Sequence, residues 1–148
     1  MPASQPLTGI RENSFAGLAK TYGTPLYVYD GDRIISQIQK LRTAFSRMDV
    51  KIKFAAKALT NISVLKLMRR NGIGVDVVSI QEVLIARRAG FQPEEIMFTP
   101  SGVDMEEIAA AADIGVNINL DNLSILEKFG RQYGSKYPCG LRLNPNIM

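Results

Sequence analysis

The sequence has 148 residues, of which 46% are hydrophobic and 22% are charged, a balance typical of a folded globular protein. It contains no histidine and one cysteine, Cys139. This excludes Ser-His and Cys-His nucleophile pairs and an internal disulfide framework, and it argues against a transition-metal site. The net charge of +4 comes from scattered basic residues without interleaved aromatic ones, so we expect no nucleic-acid partner.

Nothing in the sequence indicates a membrane protein or a secreted one. No run approaches the roughly 18 apolar residues of a membrane span. Residues 1–10 also lack the charged-then-apolar pattern of a secretory signal. We therefore expect a cytoplasmic protein with no membrane partner.

The first part of the chain predicts a loose lead-in, a helix and a strand. Residues 1–9 are rich in Pro, Ser and Gly and form the lead-in. Glu12–Tyr22 carry apolar residues on one side and are followed by Gly23 and Pro25, which predicts a short helix. Leu26–Tyr29 are rich in β-forming residues and predict a strand.

A second helix is predicted by an apolar stripe of helical period that Asp32 can cap. The stripe consists of Ile34, Ile35, Ile38, Leu41 and Phe45.

A strand-helix unit then repeats four times and is followed by a fifth strand. The predicted strands end at Ala56, Ser79, Thr99, Leu120 and Leu143. These ends lie 20 to 23 residues apart, and the later helices close on glycine. So regular a spacing, with helices starting at Ser79, Asp104 and Asp121, predicts one parallel sheet with right-handed crossovers.

Two architectures fit five such strands. A doubly wound sheet would be complete, whereas a (β/α)₈ barrel needs about 250 residues and would be cut after its fifth strand. Two features favour the barrel: no Gly-rich phosphate loop follows the first strand, and the sequence ends after a strand without a covering helix. We therefore expect an α/β fold made of about the first five strands of a TIM barrel, the front part of a longer protein.

Three charged residues are placed where such a barrel has its chemistry. Lys57 lies just beyond the first buried strand, at the open end of the sheet, where a partly desolvated amine can act as a nucleophile. Asp76 and Arg142 lie inside apolar strands, where an unpaired charge is costly. Because strands one, two and five open onto the same cavity, the three residues are candidates for one cluster; a purely structural ion pair and a solvated loop lysine are the alternatives.

Glu82 is a weaker candidate. The run from Ser79 to Glu82 fits a capping box, which alone would explain this carboxylate.

Three ordered motifs together resemble a known family. They are Phe54–Ala58, then Gly74–Ser79 with Glu82, then Gly140–Pro145. Their combination is similar to the N-terminal part of the pyridoxal-phosphate-dependent decarboxylases of the alanine-racemase-like fold. Within that family the sequence most resembles the members that convert meso-2,6-diaminopimelate to L-lysine, with decarboxylases of other basic amino acids as the alternative.

The resemblance implies a cofactor and roles for five residues. Pyridoxal 5'-phosphate would be held covalently by Lys57, which would also handle protons at the substrate's α-carbon. Asp76 and Arg142 would form a charged support beside the cofactor. Ala55 would line the pocket, with Glu82 as a neighbour.

The resemblance also implies a domain organisation and an assembly. Residues 1–30 would pack, through the strand Leu26–Tyr29, with a separate β domain completed near the C-terminus, and residues 31–148 would form the partial barrel. The remaining cofactor-binding residues would lie beyond Met148, so the 148 residues alone are expected to be inactive. The full-length enzyme would be a homodimer.

Two other hypotheses remain from the residues themselves. One is a non-catalytic pyridoxal-phosphate-binding protein of single-barrel type. The other is a barrel aldolase that uses Lys57 without a cofactor.

Overall fold

A computed structural model describes residues 12–145, which fall into two compact units that divide after Val50. The predicted lead-in over residues 1–9 lies outside the described residues. Within residues 12–145, no helix combines the length and the hydropathy that crossing a bilayer requires.

The first unit contains two helices, α1 (Glu12–Tyr22) and α2 (Gly31–Ala44). The bounds of α1 are those predicted. The N-cap of α2 is Asp30, whose Oδ1 accepts a hydrogen bond from the Arg33 backbone N–H at 2.9 Å. The predicted cap, Asp32, was wrong because Asp32 already lies in the first helical turn, while Asp30 has the extended backbone that a cap requires.

The second unit alternates strands and helices in the predicted order. Its strands are β1 (Lys53–Ala55), β2 (Gly74–Val77), β3 (Ile96–Phe98), β4 (Asn117–Leu120) and β5 (Cys139–Leu141). Its α-helices are α3 (Ile62–Arg70), α4 (Ile80–Arg88), α5 (Met105–Ile114) and α6 (Leu123–Tyr133). Short 3₁₀ turns cover Ala56–Ala58, Pro93–Glu95 and Gly134–Lys136.

The order of the strands decides between the two predicted architectures. Each strand pairs in parallel with the next, giving the spatial order β1-β2-β3-β4-β5. A doubly wound sheet reverses its strand order at a switch point, whereas a (β/α) barrel adds strands in sequence. The chain therefore contains five consecutive strands of a TIM-barrel-like fold.

The two faces of the sheet differ in polarity. One face packs against the helices through buried apolar residues: Val75, Val77, Ile96, Phe98, Ile118 and Leu120. The opposite face, here called the inner face, carries the alternating residues Ala55, Asp76, Met97, Asn119 and Gly140. All five are half-buried. The core thus lies between sheet and helices, and the inner face is left for polar side chains.

The helices of this unit begin at side-chain caps. Asn61, Ser79, Asp104 and Asn122 each accept backbone hydrogen bonds from the first turn that follows. The prediction that α6 starts at Asp121 was wrong by one residue, because the following Asn122 has the extended backbone and accepts bonds from two N–H groups.

Four of the five strands end one or two residues earlier than predicted, whereas β4 ends at Leu120, as predicted. Ala56–Ala58 turn away from β1 as a 3₁₀ turn, β3 ends at Phe98 rather than Thr99, and β5 ends at Leu141 rather than Leu143. Lys57 and Arg142 consequently lie just beyond their strands, on the loops at the carboxyl end of the sheet.

The predicted strand over Leu26–Tyr29 is not formed among the described residues. A strand requires a hydrogen-bonded neighbour, and the described sheet consists of β1 to β5 alone. Every side chain of the segment is exposed, Tyr27 most of all at 87%. Its pairing in a separate β domain stays a prediction.

Candidate functional site

Lys57 is held at the carboxyl end of β1 by a tight turn. The neighbouring Ala56 is 1% exposed and fixes the backbone, and the Leu59 N–H donates to the Ala56 carbonyl at 2.9 Å. The Lys57 side chain itself is exposed. The partial desolvation expected for this amine is therefore not provided by the described residues.

Asp76 is a charged residue of the inner face. It lies on β2 directly beside Ala55 of β1 and is half-buried. Its Oδ1 accepts a hydrogen bond from the Thr99 hydroxyl at 2.8 Å. The Thr99 oxygen in turn accepts one from Asn119 Nδ2 at 3.1 Å. A chain of hydrogen bonds therefore joins the carboxyl ends of β2, β3 and β4.

Gly140 leaves room for the hydrogen bonds that join Asp76, Thr99 and Asn119. It is the neighbour of Asn119 on β5, and a Cβ at this position would clash with Asn119 Oδ1. Any side chain here would force the Asn119 amide out of its place.

Arg142 follows β5 at the same end of the sheet. Its backbone N–H donates to the Leu120 carbonyl at 2.8 Å, and its side chain is exposed. Among residues 12–145, neither Arg142 nor Lys57 forms an ion pair with Asp76. The structure thus places the three predicted residues at one end of the sheet without pairing their charges.

Glu82 acts as a helix cap. Its Oε2 accepts a hydrogen bond from the Val78 N–H at 2.9 Å, and the Glu82 N–H donates to Ser79 Oγ at 3.3 Å. This reciprocal pair resembles the predicted capping box, with Val78 in place of Ser79 as one donor. A role for Glu82 beside a cofactor stays a prediction.

Lys53 occupies the opposite, amino end of β1. Its Nζ donates to the Glu95 carbonyl at 3.1 Å across Gly74. Burial, with a smaller contribution from Lys51, lowers the pKa of Lys53 below its ordinary value of 10.5, and the negative charges of Asp76 and Glu95 only partly oppose this. Because the amino end of such a barrel contributes stability rather than chemistry, we interpret Lys53 as structural.

Sequence reasoning missed Thr99, Asn119 and Gly140 as parts of the site. A signal for Asn119 was present, because the strand Asn117–Leu120 alternates polar and apolar residues. In a strand whose apolar residues pack on helices, the alternating polar side chains point to the inner face.

Comparison with known proteins assigns most of the chain to the family that its sequence motifs resemble. Residues 31–148 match the family model described as pyridoxal-dependent decarboxylase, pyridoxal binding domain. A diaminopimelate decarboxylase of Methanothermobacter thermautotrophicus is 38% identical over 132 residues, which are 88% of this chain and 31% of that protein. The chain thus spans about a third of the length of the curated relatives it matches.

Solved structures agree in fold. The diaminopimelate decarboxylase of Helicobacter pylori complexed with L-lysine superposes with a TM-score of 0.78 at 33% identity, covering 90% of this chain and 35% of that one. A lysine/ornithine decarboxylase of Vibrio vulnificus complexed with putrescine gives a TM-score of 0.80 at 25% identity, with 88% and 36% covered.

Proposed function

Because the chain belongs to the family of pyridoxal-dependent decarboxylases, whose pyridoxal-binding domain matches residues 31–148, we propose that its protein decarboxylates meso-2,6-diaminopimelate to L-lysine. The similarity to curated diaminopimelate decarboxylases supports this substrate. The likeness to a lysine/ornithine decarboxylase makes another basic amino acid the second candidate.

The observation that carries the proposal is the position of Lys57. It presents an exposed primary amine at the carboxyl end of β1, beside the strand that bears Asp76. An amine is the group that bonds covalently to an aldehyde such as pyridoxal phosphate. The amine at this end of the sheet therefore fits this cofactor.

The remaining residues fit the cofactor's shape and charge. Ala55 and Gly140 add little side-chain bulk to the inner face, which leaves room for a flat ring. Asp76 offers a carboxylate held in a fixed orientation by Thr99, and Arg142 offers an exposed guanidinium. When bound, pyridoxal phosphate supplies the electron sink that stabilises the carbanion left after loss of carbon dioxide.

Lys57 has two tasks in the proposed reaction. Its Nζ would hold the cofactor covalently until the amine of the substrate takes its place. Nζ would then take up the proton that the substrate's ammonium group loses and deliver it to the α-carbon, while Asp76 and Arg142 would provide the charged groups beside the cofactor. These steps require Lys57 to be desolvated, which the rest of the enzyme and the bound substrate would provide.

A substrate comparison tests the proposal. The full-length protein that carries this chain, loaded with pyridoxal phosphate, is assayed for carbon dioxide release from meso-diaminopimelate, L-lysine, L-ornithine and L-arginine. We expect the largest kcat/KM with meso-diaminopimelate and L-lysine as its product. A larger value for one of the other three would instead assign the second candidate.

The same assay separates the two non-decarboxylase hypotheses. Binding of pyridoxal phosphate without carbon dioxide release from any substrate would favour a non-catalytic carrier. A colourless protein that condenses a keto substrate with Lys57 would favour an aldolase. Homodimer formation and a cytoplasmic location stay predictions.

A further inference from the structure

The hydrogen-bond chain Asp76–Thr99–Asn119 has a fixed direction. Asn119 Nδ2 donates to the Thr99 oxygen, and the Thr99 hydroxyl donates to Asp76 Oδ1. Since the Thr99 oxygen already accepts the amide proton, its own proton is directed at the carboxylate. Asp76 is thereby held as an acceptor.

Both donors are themselves held in place. The Thr99 backbone N–H donates to the Val77 carbonyl at 2.8 Å, so the hydroxyl projects from a fixed point at the end of β3. Asn119 Oδ1 lies against Gly140, too close for a Cβ there, and Nδ2 faces Thr99. The orientation of the carboxylate therefore depends on three strands besides its own.

We propose that Thr99 and Asn119 are positioning residues that aim the Asp76 carboxylate at the cofactor, with Gly140 making their arrangement possible. This inference rests on the proposed function, because it takes Asp76 to support bound pyridoxal phosphate. Neither Thr99 nor Asn119 needs to touch the cofactor. Their effect is exerted through Asp76, since a carboxylate without the Thr99 bond rotates among several rotamers and supports the cofactor in only some of them.

Titration with pyridoxal phosphate tests the inference without measuring turnover. The full-length protein is stripped of cofactor, and the dissociation constant is measured by absorbance for the wild type and for Thr99→Val and Thr99→Ser. Valine keeps the shape and removes the hydroxyl, and serine restores it. We expect Thr99→Val to weaken binding about tenfold, as for the loss of a hydrogen bond to a charged group, and Thr99→Ser to bind within about twofold of the wild type.

A double-mutant cycle distinguishes positioning from a general structural effect. In an Asp76→Asn background, Thr99→Val is expected to have less than a twofold further effect, because its target has already been changed. Asn119→Ala and Gly140→Ala are expected to weaken binding in the same direction as Thr99→Val. Thermal unfolding of each apo variant gives its stability separately.

Three results would overturn the inference. Unchanged binding by Thr99→Val, equal weakening by Thr99→Val and Thr99→Ser, or full additivity with Asp76→Asn would each show that the hydroxyl does not act through Asp76. If the wild-type protein failed to bind pyridoxal phosphate, this result would contradict both the proposed function and the inference. The two failures are therefore distinguished by the wild-type titration.

Discussion

At the scale of single residues, the lysine at one end of β1 and the lysine beyond its other end have different surroundings. Lys57 is exposed at the carboxyl end of the sheet, where barrel enzymes place their reactive groups. Lys53 is half-buried at the amino end and bonded to the Glu95 carbonyl. Only the first has the access that a covalent cofactor requires.

The half-buried Lys53 predicts a dependence of stability on pH. Burial lowers the pKa of Lys53 in the folded protein below its ordinary value of 10.5, so between these two values the unfolded chain binds more protons than the folded one. Stability attributable to this residue therefore rises as the pH increases through this window towards 10.5.

We expect the wild type to gain stability relative to Lys53→Met between about pH 7.5 and about pH 10. Urea unfolding of both proteins at the two pH values measures this difference. A difference that is the same at both values would contradict the assignment of a lowered pKa to Lys53.

Gly74 is required by close contacts at the same end of the sheet. A Cβ there would lie 2.8 Å from the Glu95 backbone oxygen and 3.1 Å from Lys53 Nζ. Because backbone cannot move aside as a flexible side chain does, we expect Gly74→Ala to lower the free energy of unfolding by about 1–3 kcal/mol. Chemical denaturation measures it.

Gly130 gives the matched control for that substitution. It lies inside α6, and a Cβ there meets no atom within 4 Å. Gly130→Ala should raise the free energy of unfolding by about 0.5–1 kcal/mol, since alanine has the higher helix propensity. Equal effects of the two substitutions would contradict the packing argument.

At the scale of the elements, the start of α6 depends on one side chain. Asn122 Oδ1 accepts bonds from the Ser124 and Ile125 N–H groups at 2.8 and 3.3 Å. We expect Asn122→Ala to lower the free energy of unfolding by about 1 kcal/mol and Asp121→Ala to lower it by less than half as much. Denaturation curves of the two variants measure both losses. A larger loss of unfolding free energy for Asp121→Ala would instead support Asp121 as the cap, as predicted from the sequence.

The sequence predicted the elements well and their ends less well, for a physical reason. The spacing of apolar residues and the glycines that end helices are features of the local sequence. The bounds of α1 and the order of strands and helices could therefore be predicted. Asp30 competes with Asp32 as a cap, and only the backbone conformation decides between them. The strand over Leu26–Tyr29 stays a prediction, because a strand depends on a partner that the described residues do not supply.

The site was predictable where charge made residues conspicuous. Lys57, Asp76 and Arg142 stood out because charged residues are rare at the ends of apolar strands. Thr99 and Asn119 did not, because a hydroxyl and an amide are common at strand ends. Their contact with Asp76 depends on the register of β2, β3 and β4, which the sequence does not state.

At the scale of the whole molecule, the described sheet is open. Among residues 12–145, β1 and β5 each have one strand neighbour, and Leu141 and Leu143 are 59% and 82% exposed at the β5 end. A closed (β/α) barrel has eight strands, and the chain spans about a third of its relatives' length. The activity proposed here therefore belongs to the full-length protein, and Lys57 is the residue of this chain on which it depends most.

Borohydride reduction tests that dependence most directly. The full-length protein is loaded with pyridoxal phosphate, reduced, digested and mapped by mass spectrometry, alongside Lys57→Ala and the control Lys53→Ala. We expect a pyridoxyl adduct on the Lys57 peptide in the wild type and in Lys53→Ala, and none in Lys57→Ala. An unmodified Lys57 with the adduct elsewhere, or equal loss of labelling in both variants, would contradict it.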